Sequence, residues 1–247
     1  MIPLGSLQPF LAGGLSYALQ QASWPGLLVI VVLLFVSSLS WAVMVTKYRG
    51  LDRATRASRE FLQAWRTEPA LAMYTRGQRF AESPHYRIYH EGCGALMQQL
   101  VGDAPVDADL PDRLEQAPKL AAAQLETVHL TLQKALGEAS LQIEAQTALL
   151  ATAVSGGPFL GLLGTVWGVM DTFSAIAEST SAASVKEMAP GVAAALVTTV
   201  VGLLVAIPAM FGYNFLVSKV RAMVLGLENF SVELMAAWQR DWLDHGG

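Results

Sequence analysis

The chain is poor in charge and in cysteine, and each shortage excludes a class of protein. Charged residues make up 15% of the 247 residues and hydrophobic ones 53%, a composition outside the usual range of soluble domains. The single cysteine, Cys93, excludes an internal disulfide. There is no GxSxG, HExxH or P-loop motif, no metal-ligand spacing and no broadly basic surface. We therefore expect neither an enzyme, nor a metal site, nor a nucleic-acid partner.

The first 23 residues lack charge altogether, since they contain no Lys, Arg, Asp or Glu. A secretory signal peptide begins with a basic segment, so we expect no cleavage here. Residues 1–23 are assigned to an N-terminal arm or an interfacial helix on the membrane surface. The first transmembrane helix is predicted to begin directly after this arm.

Three long apolar segments follow the arm. We predict transmembrane helices at residues 24–46, 147–177 and 188–216. The second segment has no charged residue between Ala148 and Met170, enough to cross a hydrocarbon layer of about 30 Å at about 1.5 Å per residue. The chain is therefore predicted to be an all-α membrane protein with three transmembrane helices and long cytoplasmic helical extensions.

Basic residues are distributed unevenly around these spans. Those that follow the first span are Lys47, Arg49, Arg53, Arg56, Arg59 and Arg66. Of the 16 lysines and arginines, only Lys186 lies in a segment predicted to be outside. The positive-inside rule therefore predicts a periplasmic N-terminus and a cytoplasmic C-terminus. This topology assigns residues 47–146 to a cytoplasmic helical domain and residues 178–187 to a periplasmic loop. It assigns residues 217–247 to a cytoplasmic C-terminal helix.

The cytoplasmic segments carry helical patterns. A helix is predicted from Pro84 to about Val101, followed by a linker from Gly102 to Pro118. An apolar stripe then recurs at three- and four-residue steps, at Leu125, Val128, Leu132, Leu136, Ala139 and Ile143. We predict that this last helix continues without interruption into the second span. The basic flank beside the membrane is interpreted as a topology signal, with binding of membrane lipids as the alternative.

Glycine and proline are placed regularly in the two later spans. The glycines predicted to permit close helix packing are Gly157, Gly161, Gly164, Gly168, Gly191 and Gly202. In a membrane, small residues let helix backbones approach, and packing then supplies the adhesion. The prolines predicted to kink these helices are Pro158, Pro190 and Pro208. The two spans are therefore expected to pack against each other in a bundle.

Threonines provide most of the polar groups within the same two spans. Thr152, Thr165 and Thr172 lie on the second span, where Thr165 and Thr172 are seven residues apart and share a helix face. Thr198 and Thr199 lie on the third span. A threonine in a membrane helix commonly bonds to a carbonyl of its own helix. Together, on glycine-rich helices, these threonines instead indicate the wall of a hydrated ion path, with Thr165, Thr172, Thr198 and Thr199 assigned to it. Both interpretations remain open from the sequence.

Two segments carry a resemblance to a known family. SGGPFLGLLGTVWGVMDTF and MAPGVAAALVTTVVGLLVAIPAMFGYN resemble the MotA/TolQ/ExbB proton-channel family, nearest its TolQ/ExbB branch. The resemblance implies an inner-membrane homopentamer around a central pore that holds two copies of a single-span ExbD/TolR-like partner. It further implies a rotary motor in which ion flow produces mechanical work, transmitted to a TonB/TolA-like or other envelope protein.

The resemblance also assigns roles to single positions. Thr165 and Thr199 match family threonines that line the ion path, whereas Ala194 stands where relatives with the PGIAEAL pattern have a glutamate. Without that titratable group the transported ion is H⁺ or Na⁺, with Na⁺ favoured by an all-oxygen surrounding. No tightly bound cofactor is expected. The alternative function is a non-conducting pentameric scaffold that has lost the glutamate.

Overall fold

The described chain is almost entirely helical. The computed structural model describes residues 23–102, 110–178 and 185–243. Its helices are α1 (Trp24–Thr67), α2 (Ala72–Thr75), α3 (Pro84–Val101), α4 (Leu110–Glu115), α5 (Ala122–Glu144), α6 (Thr147–Glu178) and α7 (Val185–Trp242). The predicted arm at residues 1–23 lies outside the described residues except for Ser23, as does most of the predicted loop at 178–187.

The chain divides into two compact units. The first contains residues 1–46 and 146–216, and the second contains residues 47–145 and 217–247. The two longest helices, α1 and α7, each supply their N-terminal part to the first unit and their C-terminal part to the second.

The first unit contains helices that are suited to a membrane. Among the described residues, three helical segments are long and apolar enough to cross a membrane, and they are Trp24–Thr67, Ala122–Glu178 and Met188–Trp242. The small core of the first unit joins Val29 and Leu33 of α1 to Val205 of α7. Large apolar side chains point away from the unit, and Phe159 is 72% exposed. Such exposure suits a hydrocarbon solvent rather than water. The prediction of an all-α membrane protein with three spans is therefore confirmed.

The second unit has a conventional apolar core. Phe61 of α1 is fully buried, and its ring lies 5.5 Å from the Tyr89 ring of α3 and 5.6 Å from the Phe230 ring of α7. Gly92 permits the closest approach in this unit, because a Cβ there would overlap a Leu132 methyl carbon and lie 2.7 Å from the Trp238 ring. Burial of aromatic and aliphatic side chains provides the main stabilisation of this unit.

The bounds of α3 follow from its sequence. Ser83 precedes it, and the Ser83 side chain accepts a hydrogen bond from the Tyr86 backbone N–H. Pro84 occupies the first turn, where its missing N–H has no helical partner in any case. Gly102 ends the helix with a φ of 67°, a conformation that glycine adopts without steric cost. The predicted helix from Pro84 to Val101 is confirmed.

Two predictions about this part of the chain were wrong. The helix from the apolar stripe into the second span is interrupted at Ala145 and Gln146, where Gln146 has a φ of 70°. The predicted linker from Gly102 to Pro118 contains the short helix α4. Within the stripe, Leu136 is only half-buried, and Ala135 takes the buried position next to it.

The helices run through all three prolines of the later spans. Pro158 lies inside α6, and Pro190 and Pro208 lie inside α7. Because proline has no backbone N–H, the carbonyl four residues earlier loses its helical donor. The kinks assigned to these positions stay a prediction.

Candidate ion-path site

A face of four glycines on α6 lies against α7, and we call it the glycine seam. Its members are Gly157, Gly161, Gly164 and Gly168, all buried. A Cβ at Gly161 would lie 3.0 Å from both the Thr198 carbonyl oxygen and the Thr199 Cα. A Cβ at Gly164 would lie 2.7 Å from the Thr198 hydroxyl oxygen. The two backbones are therefore closer than any side chain at these positions would allow.

Glycines of α7 complete this contact from the other side. A Cβ at Gly202 would lie 2.7 Å from the Gly157 carbonyl oxygen, and one at Gly191 would lie 2.5 Å from the Thr172 hydroxyl oxygen. All six glycines that the sequence assigned to close packing thus lie where α6 meets α7.

Three of the predicted threonines meet across the glycine seam, and we call them the threonine cluster: Thr165, Thr198 and Thr199. The Thr165 hydroxyl oxygen lies 3.3 Å from that of Thr198 and 2.5 Å from that of Thr199. Two backbone carbonyls join them. The Gly161 oxygen lies 3.2, 3.2 and 3.0 Å from the Thr165, Thr198 and Thr199 hydroxyls. The Ala195 oxygen lies 3.0 Å from the Thr165 hydroxyl and 2.7 Å from that of Thr198.

The threonine cluster has more acceptors than protons. Each hydroxyl carries one proton and accepts with two lone pairs, while a carbonyl only accepts. Five oxygens therefore share three hydroxyl protons, so only some of the close oxygen pairs are hydrogen-bonded at one time. Oxygen lone pairs in excess suit a cation or an added proton. Thr198 is 1% exposed, so this chemistry lies inside the helix pair.

A threonine hydroxyl of the cluster does contact a carbonyl of its own helix, but the cluster also contains contacts between hydroxyls and carbonyls of different helices. Thr165 bonds back to Gly161, yet it also reaches Ala195 on the other helix. Thr198 and Thr199 likewise reach the Gly161 carbonyl across the seam. The sequence reasoning missed the two carbonyls. A signal was available, because Gly161 and Ala195 lie four residues before Thr165 and Thr199 and are too small to shield a carbonyl.

Thr172 lies apart from the threonine cluster. Its hydroxyl donates to the Gly168 carbonyl of its own helix at 2.8 Å, and its side chain contacts Gly191 of α7. The structure therefore brings together Thr165, Thr198 and Thr199, while Thr172 lies about two turns further along α6.

A cavity of about 180 Å³ adjoins the threonine cluster, and we call it the seam cavity. Its lining comes from α1, α6, α7 and the residue before α1: Ser23, Gly26, Gly164, Gly168, Asp171, Thr172, Gly191, Ala194, Ala195 and Thr198. Ala194 is 2% exposed, so the position of the missing family glutamate is a buried part of this wall. Thr198 belongs both to the cavity lining and to the threonine cluster.

The ionisable groups buried in the second unit serve packing. The His85 Nδ1 lies 3.0 Å from the Ser58 hydroxyl oxygen, and burial lowers the pKa of His85, an effect that a backbone hydrogen bond with Gly226 partly offsets. Burial raises the pKa of the Cys93 thiol well above its ordinary value, which keeps it protonated and unreactive. Among the described residues, no three His, Cys, Asp or Glu side chains are grouped to hold a metal.

One family model matches the part of the chain that carries this site. It is the model of the MotA/TolQ/ExbB proton channel family, and it covers residues 103–229, just over half of the chain. This chain belongs to the MotA/TolQ/ExbB proton channel family. The matched region includes the whole glycine seam and the threonine cluster, but not α1 or Ser23.

Individual relatives come from the TolQ and ExbB branch of that family. The chain is 30% identical over 217 residues to the Tol-Pal system protein TolQ of Haemophilus influenzae, across 86% of this chain and 88% of the relative. It is 33% identical over 154 residues to the biopolymer transport protein ExbB of Pseudomonas putida, across 62% of this chain and 45% of the relative. It is 41% identical over 95 residues to ExbB of Aquifex aeolicus, across 38% and 64% respectively. Membership of a family of channel-type subunits points away from enzyme function.

Proposed function

We propose that this chain is the ion-conducting subunit of a motor in the bacterial inner membrane. The observation that carries the proposal is the threonine cluster, in which five oxygens share three hydroxyl protons beside a cavity. Membership of a proton channel family supports it. Five copies surround two copies of a single-span ExbD/TolR-like partner, and ion flow past the cluster turns one relative to the other. The N-terminus is periplasmic and the C-terminus is cytoplasmic.

The transported ion is H⁺ or Na⁺, and the threonine cluster favours Na⁺. Hard monovalent cations take oxygen ligands, and the hydroxyls of Thr165, Thr198 and Thr199 together with two carbonyls offer only oxygen. Ala194 contributes no titratable group to the seam cavity. Proton transport would therefore need a carboxylate from another position or from the partner's helix.

The work of the motor is exerted on the cell envelope. The most extensively matched relative named above is a Tol-Pal system protein, and the two others are biopolymer transport proteins. We infer that this chain energises a transport or envelope process of one of these kinds through a TonB/TolA-like or similar protein. No tightly bound cofactor takes part.

Ion uptake by liposomes tests this function. The chain is reconstituted with its single-span partner, and uptake is followed under an imposed Na⁺ gradient and, separately, an imposed pH gradient. Thr199→Val keeps the side-chain shape and removes the hydroxyl. Loss of one such oxygen contact is worth about 1 kcal/mol, so we expect uptake of the transported ion to fall by roughly fivefold.

Thr152→Val is the matched control. Thr152 lies on α6, is exposed, and donates to the Ala148 carbonyl at 3.0 Å, so its hydroxyl takes no part in the threonine cluster. This variant should conduct like the unaltered chain. Equal uptake by the Thr199→Val and Thr152→Val complexes would remove the threonine cluster from the path.

A scaffold is the second candidate function, and Ala194 is the observation that favours it. Alanine at a buried position of the seam cavity leaves this wall without the carboxylate that the resemblance predicts. A correctly assembled complex that takes up neither Na⁺ nor H⁺ would support the scaffold and overturn the motor. The threonine cluster supports the motor, because a scaffold needs no excess of acceptor oxygens between its helices.

A further inference from the structure

The seam cavity contains one carboxylate among its described lining residues, that of Asp171 on α6. Asp171 is also the first charged residue after the uncharged stretch that begins at Ala148. It forms no ion pair or hydrogen bond with any residue in the described part of the chain. A carboxylate in an apolar helix without a partner is expensive, and such groups in membranes commonly serve an ion or proton pathway.

A second polar group at the same cavity is also without a partner. The Ser23 hydroxyl oxygen is completely buried, and within the described residues it has no hydrogen-bond partner. It lies 3.6 Å from the position of a Cβ on Gly26 and 4.0 Å from that of a Cβ on Gly168, so it borders the cavity. A buried hydroxyl left unsatisfied is unfavourable. A ligand or a water inside the cavity would satisfy it.

The volume of the seam cavity fits a small hydrated ion. At about 30 Å³ per water molecule, its 180 Å³ has room for roughly six waters, or for a cation with part of its hydration shell. The cavity also leads to the threonine cluster, because Thr198 lines the cavity and contacts Thr165. A cation held at Asp171 is therefore one side chain away from the proposed path.

We propose that the seam cavity is a monovalent-cation site in which Asp171 supplies the negative charge and Ser23 and Thr172 supply hydroxyl oxygens. It delivers Na⁺ or H₃O⁺ to the threonine cluster through Thr198. In this chain the titratable group of the pathway lies on α6 rather than at position 194 of α7. The inference rests on the proposed function, since it names the residue that binds the ion before conduction.

Asp171→Asn tests the site in the complex of the full chain with its single-span partner. It preserves size and removes the charge, and the matched control Glu178→Gln removes a carboxylate from the same end of α6 without touching the cavity lining. We expect cation uptake to fall by at least about tenfold in Asp171→Asn, as for loss of a charged ligand, and to stay unchanged in Glu178→Gln. Adding Ala194→Glu to Asp171→Asn should restore uptake, because position 194 faces the same cavity.

Labelling by dicyclohexylcarbodiimide, which modifies protonated carboxyl groups in apolar surroundings, tests binding independently of conduction. Mass spectrometry of the full chain in detergent should find the label on Asp171. Protection by added Na⁺ identifies a sodium site, whereas labelling that follows pH and ignores Na⁺ identifies a proton site. A label protected by Na⁺ in a complex that never conducts would uphold the site and overturn the motor. Full uptake by Asp171→Asn, together with loss of uptake in Thr199→Val, would overturn the site and uphold the motor.

Discussion

Gly161 is the residue at which packing and chemistry coincide. Its missing side chain lets the α7 backbone approach, since a Cβ would lie 3.0 Å from the Thr199 Cα. Its carbonyl oxygen lies within 3.2 Å of the hydroxyls of Thr165 and Thr198 and 3.0 Å from that of Thr199. The Thr198 and Thr199 hydroxyls reach this carbonyl from α7 only because the two backbones are this close.

We therefore expect Gly161→Ala to separate the two helices. The atoms that the new methyl group meets belong to backbone and cannot rotate away. Overpacking of this kind destabilises by about 1–3 kcal/mol and would also pull the Thr198 and Thr199 hydroxyls from the carbonyl. Thermal unfolding in detergent should show a lower Tm, and ion uptake should fall as well.

Gly156→Ala is the control for that substitution. Gly156 lies on the same helix, and a Cβ there would meet nothing within 4 Å. Because alanine favours a helix by about 1 kcal/mol over glycine, this variant should be neutral or slightly more stable. A Tm for Gly161→Ala that equals or exceeds that of Gly156→Ala would contradict the close approach of α6 and α7.

At the scale of elements, a break separates α5 from α6, although the sequence pattern predicts one continuous helix. Their apolar pattern continues with no proline before Pro158, but Gln146 adopts a φ of 70°. A left-handed residue with a Cβ costs about 1–2 kcal/mol. Tertiary packing on each side must therefore stabilise the break against local helix propensity.

Substitutions at Gln146 should report this strain. Gln146→Gly removes the clash of the Cβ in the left-handed conformation, although glycine loses more entropy on folding. We expect a gain of up to about 1 kcal/mol in the free energy of unfolding. Gln146→Pro fixes φ near −65° and should destabilise the chain.

Chemical unfolding of the purified protein measures both changes. A Gln146→Gly variant less stable than the unaltered chain would mean that α5 and α6 form one continuous helix, because glycine costs about 1 kcal/mol in a helix interior.

At the scale of the whole molecule, the two units differ in which side chains they expose and in what stabilises them. The first unit exposes large apolar side chains such as Phe159 and Leu204, whereas the second buries its rings around Phe61 and Trp238. Helices in hydrocarbon gain little from apolar burial, so the first unit depends on close backbone packing and hydroxyl contacts. The second depends on the burial of aromatic and aliphatic side chains in its core.

The second unit should lose stability on acidification. Burial places the pKa of His85 below its ordinary value of 6.5, so the fold favours neutral histidine. The resulting stabilisation is complete above the unfolded pKa and is lost as the pH falls through the folded value. We expect the Tm of the full chain in detergent to fall between about pH 7 and about pH 5.

His85→Gln should reduce that dependence, because no imidazole remains to be protonated in the core. His90→Gln is the comparison, since His90 is an exposed residue of the same helix and its loss should leave the dependence intact. A pH profile that is the same in wild type and His85→Gln would assign the acid sensitivity to other groups.

Much of this architecture could be predicted from the residues alone. Apolar length indicates three spans, Ser83, Pro84 and Gly102 indicate the bounds of α3, and glycine spacing indicates a close-packing face. Each of these features depends on residues that are neighbours along one helix, so a local sequence pattern is sufficient to predict it. The break at Gln146 was missed because its φ of 70° opposes the helical pattern on both sides of it. The helix α4 was missed because six residues are too few for a helical period to be recognised.

What only the tertiary structure decided is which residues of different helices meet. The sequence marks Thr165, Thr198 and Thr199 as polar groups in apolar helices, but their distances depend on the register of α6 against α7. That register also places Asp171, Ser23 and Ala194 around one cavity, although they come from three separate parts of the chain. Side-chain spacing along a helix determines a face, whereas a site between helices requires the packing that brings two faces together.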